Sequence, residues 1–424
     1  MSALDSKYDV IVVGAGLVGS AFALLLSKVF SKHLGLKIAI VEHAPMLAEA
    51  EQKNQRVVAL GDAATDVLKE VGIFESLGAN VCHAYDKMFV WDESTDGELT
   101  FAAQDYNKTS LGYLIDSQEC ISLLQSQLEL AENIDTFYEF SAVSLNFSCV
   151  DRARKLNLGA GDGFSAELRS DNKVLRAPLV VAADGNRSWV RQQAKIMSSG
   201  HDYQQRAIVL KIHTELSHQD TAWQRFLETG PVAVLPLADN QSSIVWSANL
   251  ALAEELMALS DKEFEIALAD ALENRLGKVE VLSKRLTFPL KSQRAERYFK
   301  KGVVLIGDAA HSIHPLAGQG ANLGFKDAAS LVIVLTGALE DILNSSVKGS
   351  PRLDTSNLGD LALLERYQRA RKMDNQQTDM MMSALHLAYQ SNAPWWLGAR
   401  SLGMNWIGSS IAIKRLLARQ AMGI

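Results

Sequence analysis

Cysteine is scarce. Three residues in 424, Cys82, Cys120 and Cys149, stand far apart and form no Cys-x-x-Cys pair. That excludes a disulfide framework and points to a reducing compartment, with the thiols read most simply as small buried hydrophobes. A basic excess is also missing, since 42 Lys and Arg face 49 Asp and Glu for a net charge of −7. A surface that tracks nucleic-acid phosphates needs the opposite balance, so nucleic acid is excluded as the main partner. No internal repeat is visible. The nearest approach to a long apolar run is Val10 to Phe30, whose only charge is Lys28. Asp5 and Asp9 stand where a signal peptide carries positive charge, and Gly14, Gly16 and Gly19 break the run where strand character turns helical. A signal or membrane-span reading is therefore the weaker one. What is present is ordinary for a globular enzyme, 48% hydrophobic and 21% charged, with length for two interlocked domains.

Tyr8 to Val13 is a β-branched run, and Gly14-Ala15-Gly16-Leu17-Val18-Gly19 follows at once. Ser20 to Phe30 is helical, and Lys37 to Val41 is a second strand ending at Glu42. In this order the pattern implies dinucleotide binding. Gly14 permits the turn, Gly16 admits a pyrophosphate to the helix N-terminus, and Gly19 lets helix pack on strand. Glu42 is placed to accept from ribose hydroxyls and to repel a 2′-phosphate.

Two more strand–acid–glycine junctions occur. Leu175 to Ala182 runs into Ala183-Asp184-Gly185-Asn186-Arg187-Ser188, which read plainly is a turn with Arg187 and Arg191 in solvent. Val303 to Ile306 runs into Gly307-Asp308, and Pro315, Gly318, Gly320 and Gly324 then lead to a helix expected from about Asn322. There the bland reading is a tight turn in an α/β core. The functional reading has Asp308 accept from sugar hydroxyls while helix N–H groups donate to a developing anion. Arg56 is either a surface charge or a group facing the pyrophosphate or isoalloxazine of a flavin.

The intervening chain alternates. Lys87 to Trp91 and Leu99 to Ala102 read as strands of another sheet, and Leu111 to Ile115 as a return. A helix from about Ser117 to Ala131 carries Ile121, Leu124 and Leu128 at helical spacing, with Ser117 and Gln118 at its start. Phe137 to Val150 and Arg154 to Leu158 read as strands around a hairpin at Ala160 to Gly163. Gln205 to Thr214, Pro231 to Pro236 and Ser243 to Ala248 have period-2 character, Asp261 to Leu276 is a helix, and Arg285 to Leu290 is a strand. After Asp327 the chain is helical, with a polar loop at Asn344 to Gly359. No acid follows Asp379. Trp395, Trp396 and Trp406 precede a basic amphipathic segment with Lys414, Arg415 and Arg419, read either as docked on the protein or as lying on a membrane surface. His311 and His314 form a His-x-x-His pair without a nearby cluster of further ligands, so no metal is expected.

Together the three junctions resemble those of the FAD-dependent aromatic hydroxylases related to p-hydroxybenzoate hydroxylase. Within these the chain is most similar to the ubiquinone-biosynthesis ring hydroxylases (the UbiH/UbiF/VisC family). The matching residues are Gly14 to Gly19 with Glu42, Gln55 to Leu60, Ala183 to Ser188, and Gly307 to Pro315 running into Gly318 to Asn322. The resemblance covers about residues 6 to 390. It implies that Gly14, Gly16, Gly19 and Glu42 bind the ADP half of FAD and that Arg56 meets the cofactor. Asp184 and Gly185 would face the FAD pyrophosphate and passing NAD(P)H, and Asp308 the ribityl or ribose hydroxyls. Gly318 belongs to the same loop. Gly320, Ala321 and Asn322 would offer N–H groups to the flavin pyrimidine end, with Pro315, and His314 beside it, near the reactive edge. The family has Asn or Gln at the start of the helix after Ile115, and the alignment places Ser117 there with Gln118 beside it.

The fold class expected is α/β: a Rossmann-like FAD-binding domain (1–80, 108–195 and 285–330), a mostly antiparallel substrate domain (81–107 and 196–284), and C-terminal helices (331–424). The activity implied is monooxygenation of a prenylated phenol or quinol in ubiquinone biosynthesis, with NAD(P)H and O2 as co-substrates. The expected place is cytoplasmic, with peripheral contact at the inner membrane surface or with other ubiquinone-biosynthesis proteins as the partners to look for. The alternatives are a hydroxylase of a small soluble phenol and a flavin-holding assembly subunit without turnover.

Overall fold

The computed structural model describes residues 4–30, 35–47, 56–149, 164–313, 318–345 and 355–390, with Gly403, Lys414, Arg415 and Ala418 beyond them. Three apolar runs far apart in sequence become neighbouring strands. Val10–Val13 lies inside a six-stranded sheet, with Ile38–Val41 and then Ile134–Phe137 on one side. On the other side come Leu179–Ala182, Val303–Leu305 and the edge strand Phe299–Lys300. All pairings are parallel except that of the edge strand. The three central strands are buried, as near-continuous Val, Ile and Leu runs of a parallel sheet require. Because they are parallel, the turns that follow Val13, Ala182 and Leu305 emerge at one edge.

Among the described residues the helices are α1 (Leu17–Phe30), α2 (Asp62–Val71), α3 (Ser117–Leu130), α4 (Trp189–Gln193), α5 (Leu250–Ala258), α6 (Asp261–Ala271), α7 (Gln319–Ser345) and α8 (Leu361–Gln390). The segment Gln319–Asp341 of α7 is long and apolar enough to cross a membrane by length and composition. Phe325, Ala328, Leu331, Leu335 and Leu339 nevertheless have no exposed surface, so α7 is a core helix. It packs on α1 at Gly324, where a Cβ would lie 2.5 Å from a Val18 methyl.

Ser198–Thr214 is the long spine of a nine-stranded sheet, flanked by Gln241–Asn249 and Leu286–Ala295. Val232–Pro236, Thr221–Phe226, Lys87–Asp92 and Glu98–Ala102 continue it. The only parallel pairing described in it joins Thr221–Phe226 to Lys87–Asp92. The period-2 pattern survives as alternating burial along Val232–Pro236. Helices α5 and α6 cover one face, and a capping box of Ser260 and Glu263 starts α6. Leu286–Ala295, grouped by sequence with the cofactor segment, hydrogen-bonds along the spine. Even His311–Ser312, inside the third junction, adds to this sheet's edge.

Some element bounds differ from expectation. The run Leu175 to Ala182 is two strands, Lys173–Ala177 and Leu179–Ala182, in different sheets. Pro178 lies between them and cannot donate to either ladder. Phe137 to Val150 likewise splits into Ile134–Phe137 and Ser144–Cys149. The strand at Arg154 to Leu158, the hairpin at Ala160 to Gly163 and the three tail tryptophans lie outside the described residues.

Phe264 of α6 is fully buried against Trp246. Phe264→Ala is expected to lower stability by about 3–5 kcal/mol through lost burial and a cavity, read as the shift in urea midpoint. A loss below about 1 kcal/mol would mean that α6 does not pack on the sheet as described.

Candidate cofactor and substrate site

The first junction is built by close backbone approach. Gly14 has φ +106°, and a Cβ there would sit 2.4 Å from the Ala183 carbonyl oxygen. A Cβ at Gly19 would sit 1.9 Å from the Gly14 carbonyl oxygen. At Gly16 a Cβ would meet nothing within 4 Å. Two glycines thus serve packing, and the middle one leaves open the approach to the α1 N-terminus, where N–H groups lack intrahelical partners. Glu42 accepts from the N–H of Ala15 at 2.8 Å and of Ala44 at 3.1 Å. A carboxylate has about four lone-pair sites, so capacity remains for ribose hydroxyls.

The second junction places Asp184 beneath the short α4. Its Oδ2 accepts from Val190 N–H at 3.0 Å, while Oδ1 is buried with no partner. Burial raises its pKa, opposed by hydrogen bonds from Ser188 and nearby backbone. Gly185 has φ +79° and open space at its Cβ position. The plain-turn expectation of a solvated Arg191 fails. Arg191 is 3% exposed and donates to the Ala309 carbonyl at 2.7 Å and the Asn186 carbonyl at 2.8 Å. It thereby ties the second junction to the third.

At the third junction Gly307 takes φ +58° and packs on Val18. The Asp308 carboxylate faces the first turn of α7, with Oδ1 3.9 Å from where a Gly320 Cβ would lie. Burial raises the Asp308 pKa, against which the charges of Arg56 and then His311 act. Helix α7 starts at Gln319, three residues before the expected start. The N–H groups facing out of its first turn are therefore those around Gly318 to Ala321. The Asn322 side chain is buried, accepting from Gly61 N–H at 2.8 Å and donating to the Ala59 carbonyl at 2.9 Å. It staples α7 to the strand Val57–Leu60.

Between the layers lies a cavity of about 840 Å³. Arg56, Asp308, Gly318, Gly320 and Ala321 form one wall. The nine-stranded sheet supplies an apolar wall that includes Val209, Ala222, Leu235, Val245 and Leu290, and Arg187, His201 and Lys291 also border the space. Gly14, Gly16, Gly19, Glu42, Asp184 and Gly185 form the adjoining strand-end cluster. Gln118 does not line the cavity. The N-cap of α3 is Asp116, which accepts from the N–H groups of Gln118 and Glu119. His314 and Pro315 lie outside the described residues.

Gln125 went unremarked in the sequence. It is 3% exposed, donates to the Ala15 carbonyl at 3.0 Å and accepts from Leu47 N–H at 2.9 Å, so it holds the glycine loop. A polar residue beside the apolar stripe of α3 was the available signal. His311 points Nε2 at Asp327, 2.5 Å away, rather than belonging to a described ligand cluster. His83, His218 and Asp220 bring three donor atoms within 4.8 Å. Both His218 nitrogens are engaged, Nε2 with the Leu237 carbonyl and Nδ1 with Asp220 N–H, so this group links the layers by hydrogen bonds.

A family model described as an FAD binding domain matches residues 7–342. The chain is 31% identical over 419 residues, 98% of each chain, to 3-demethoxyubiquinol 3-hydroxylase of Escherichia coli K12. It is 33% identical to the rat mitochondrial ubiquinone biosynthesis monooxygenase COQ6, over 80% of this chain and 77% of that one. Among solved structures, p-nitrophenol 4-monooxygenase PnpA of Pseudomonas putida superposes with TM-score 0.72 at 16% identity, covering 97% of both chains. The probable FAD-dependent monooxygenase pqsL of Pseudomonas aeruginosa gives 0.70 at 20% identity, covering 93% of this chain and 99% of that one. At those identities the likeness is one of fold.

Gly16→Asp tests the open approach at α1. An acid suits a helix start, so the apo-protein is expected to melt within a few degrees of the parent, yet it repels a pyrophosphate and should weaken FAD at least about 100-fold. Unchanged FAD affinity by fluorescence titration would remove Gly16 from the site. Asp308→Asn tests the half-buried acid at the cavity wall. A raised folded pKa means stability is present at low pH and lost as pH rises through the folded value. The Asn variant should therefore melt higher than the parent at neutral pH, with the gain vanishing in the ordinary carboxylate range, while binding FAD more weakly. No gain at neutral pH would show that this carboxylate is well hydrated in the apo-protein.

Proposed function

The chain belongs to the FAD-binding family of ring hydroxylases, and from that premise we propose that it uses NAD(P)H and O2 to hydroxylate a polyprenylated phenol or quinol in ubiquinone biosynthesis. One observation carries the reading: three glycine junctions meet at adjacent strand ends, and the second and third border a cavity whose far wall is an apolar sheet face. Such a site accepts a flat cofactor on one side and an aromatic ring on the other.

The residues fit FAD. The space beside Gly16 admits a pyrophosphate, and the buried, unpartnered Asp184 Oδ1 and the cavity-lining Asp308 carboxylate are acceptors suited to hydroxyl groups. When bound, FAD supplies the redox and oxygen chemistry. The chain's residues bind and orient. We assign the α1 N-terminus to the pyrophosphate, Glu42 to the ribose, Asp308 to the ribityl chain, and Arg56 to the cofactor's charge. The first turn of α7 favours negative charge at the pyrimidine end. The apolar wall keeps water from the reacting ring. Asp184 and Gly185 are assigned to the FAD pyrophosphate and to NAD(P)H passage, and Pro315 and His314 to the reactive edge.

The names of the relatives support a quinone precursor as substrate. Contact with a membrane surface is part of the proposal, since a prenylated substrate partitions into lipid. The described tail residues bear on how that contact is made. Arg415 donates to the Asp105 carbonyl at 3.3 Å, and Ala418 is 1% exposed in a cluster with Phe101, Ala103 and Met382. Those residues dock on the protein.

Prenylated phenols in detergent should accelerate NAD(P)H oxidation with incorporation of one atom of labelled O2 into the ring, while small soluble phenols should not. Acceleration by soluble phenols alone would replace the substrate class. Bound FAD that no nicotinamide bleaches, with any precursor present, would turn the reading into one of a non-catalytic subunit.

A further inference from the structure

Asp327 of α7 has no exposed surface. Its carboxylate accepts from Gly307 N–H at 3.0 Å, His311 Nε2 at 2.5 Å, Arg371 Nε at 2.8 Å and Asn375 Nδ2 at 3.2 Å. Two of the four donors belong to the Gly307–His311 segment around Asp308, and the other two to α8. Burial alone would raise the Asp327 pKa, but His311 and Arg371 outweigh it and hold the group ionised, below the usual range. Arg371 is itself fixed, donating to the Asp374 carboxylate and to Asn375 Oδ1 at 2.7 Å each.

The same face of α8 runs along the strand that leads into the turn. Tyr367 donates to the Leu305 carbonyl at 3.0 Å, and Gln368 accepts from Tyr298 N–H at 2.9 Å. Residues 367, 371 and 375 are spaced i, i+4, i+8, one stripe of a helix. That stripe therefore reads the Val303–Leu305 strand first and the Asp308 turn next. Yet α8 lies wholly beyond residue 342, where the match to the FAD-binding family ends.

We propose that α8 is part of the cofactor-holding machinery, with Arg371 and Asn375 acting as positioning residues that set the Gly307–Asp308 turn through Asp327. The inference rests on the reading of this site as an FAD site. Neither residue lines the main cavity, so each acts through the turn. An Asp308 carboxylate displaced by a fraction of an ångström loses its hydrogen bonds to a ribityl chain, while the glycine loop at Gly14 to Gly19 keeps its own contacts. The expected signature is selective: FAD affinity falls and ADP affinity does not.

The test titrates full-length apo-protein with FAD by flavin fluorescence and with ADP by calorimetry. Asn375→Ala removes one donor to Asp327, and Arg371→Ala leaves a buried carboxylate short of one of its two cationic partners. Both should weaken FAD at least about tenfold with ADP affinity within about twofold. Arg371→Lys restores charge but not the fork, and should recover part of the loss. Should Arg371→Ala not fold, Asn375→Ala and Arg371→Lys still give the readout. Lys372→Ala, on α8 but bonded to the exposed Glu296 carbonyl, should change neither affinity. If FAD and ADP weaken in parallel, or neither weakens, α8 is a structural support only and the proposal falls. Failure of the parent protein to bind FAD would instead sink the proposed function itself.

Discussion

The site depends on three turns nested backbone against backbone. Parallel strands ending at one edge bring the turns after Val13, Ala182 and Leu305 together. Only missing Cβ atoms let them touch, at Gly14 against Ala183 and at Gly19 against Gly14. No side-chain rearrangement can relieve such contacts, because the opposing atoms are main chain. The neighbouring strands Leu179–Ala182 and Val303–Leu305 are separated in sequence by the whole Ser198–Ala295 stretch of the second sheet. Most of the nine-stranded sheet thus belongs to one insertion between two of the junction strands, and Lys87–Asp92 and Glu98–Ala102 join it from earlier in the chain.

The buried carboxylates divide into two kinds. Asp327 is surrounded by donors and held ionised. Asp184 keeps an oxygen without a partner, and burial raises both it and Asp308. An incompletely satisfied buried acid destabilises a fold by roughly 1–3 kcal/mol unless something supplies the missing hydrogen bonds. A ligand rich in hydroxyls does so, and its binding then stabilises the folded state by linkage. The compensated acid ties helices α7 and α8 to the third junction, whereas Asp308 borders the cavity.

The junctions were legible in sequence because each is local: a buried run, an acid and a glycine within a few residues. The α/β class followed from them, and the antiparallel second sheet from period-2 runs. What was not legible depends on distant partners. Arg191 finds Ala309 across 118 positions, Gln125 finds Ala15 across 110, and Asn322 finds Gly61 across 261. A polar side chain's local pattern says nothing about which remote carbonyl it will meet. The start of α7 was placed late for a related reason. Gly318 and Gly320 read as loop, since glycine weakens a helix. The fold needs little bulk there, and Gly324 one turn on is required by the approach of Val18. Tertiary packing overrode propensity.

The segment from Leu286 to Ser312 links the two layers. It runs as a strand of the nine-stranded sheet, crosses as Val303–Leu305 into the six-stranded sheet beside its edge strand, forms the Asp308 turn, and returns to the edge of the nine-stranded sheet at His311–Ser312. A shift of the apolar wall therefore pulls on the Asp308 turn from both ends. The turn resists because Arg191 holds Ala309 from one side and Asp327 holds Gly307 from the other. Oxygen transfer to a ring needs cofactor edge and substrate within a few tenths of an ångström of their productive separation. A chain that threads both layers, tied at Ala309 and Gly307, couples the apolar wall to the Asp308 turn through its own backbone.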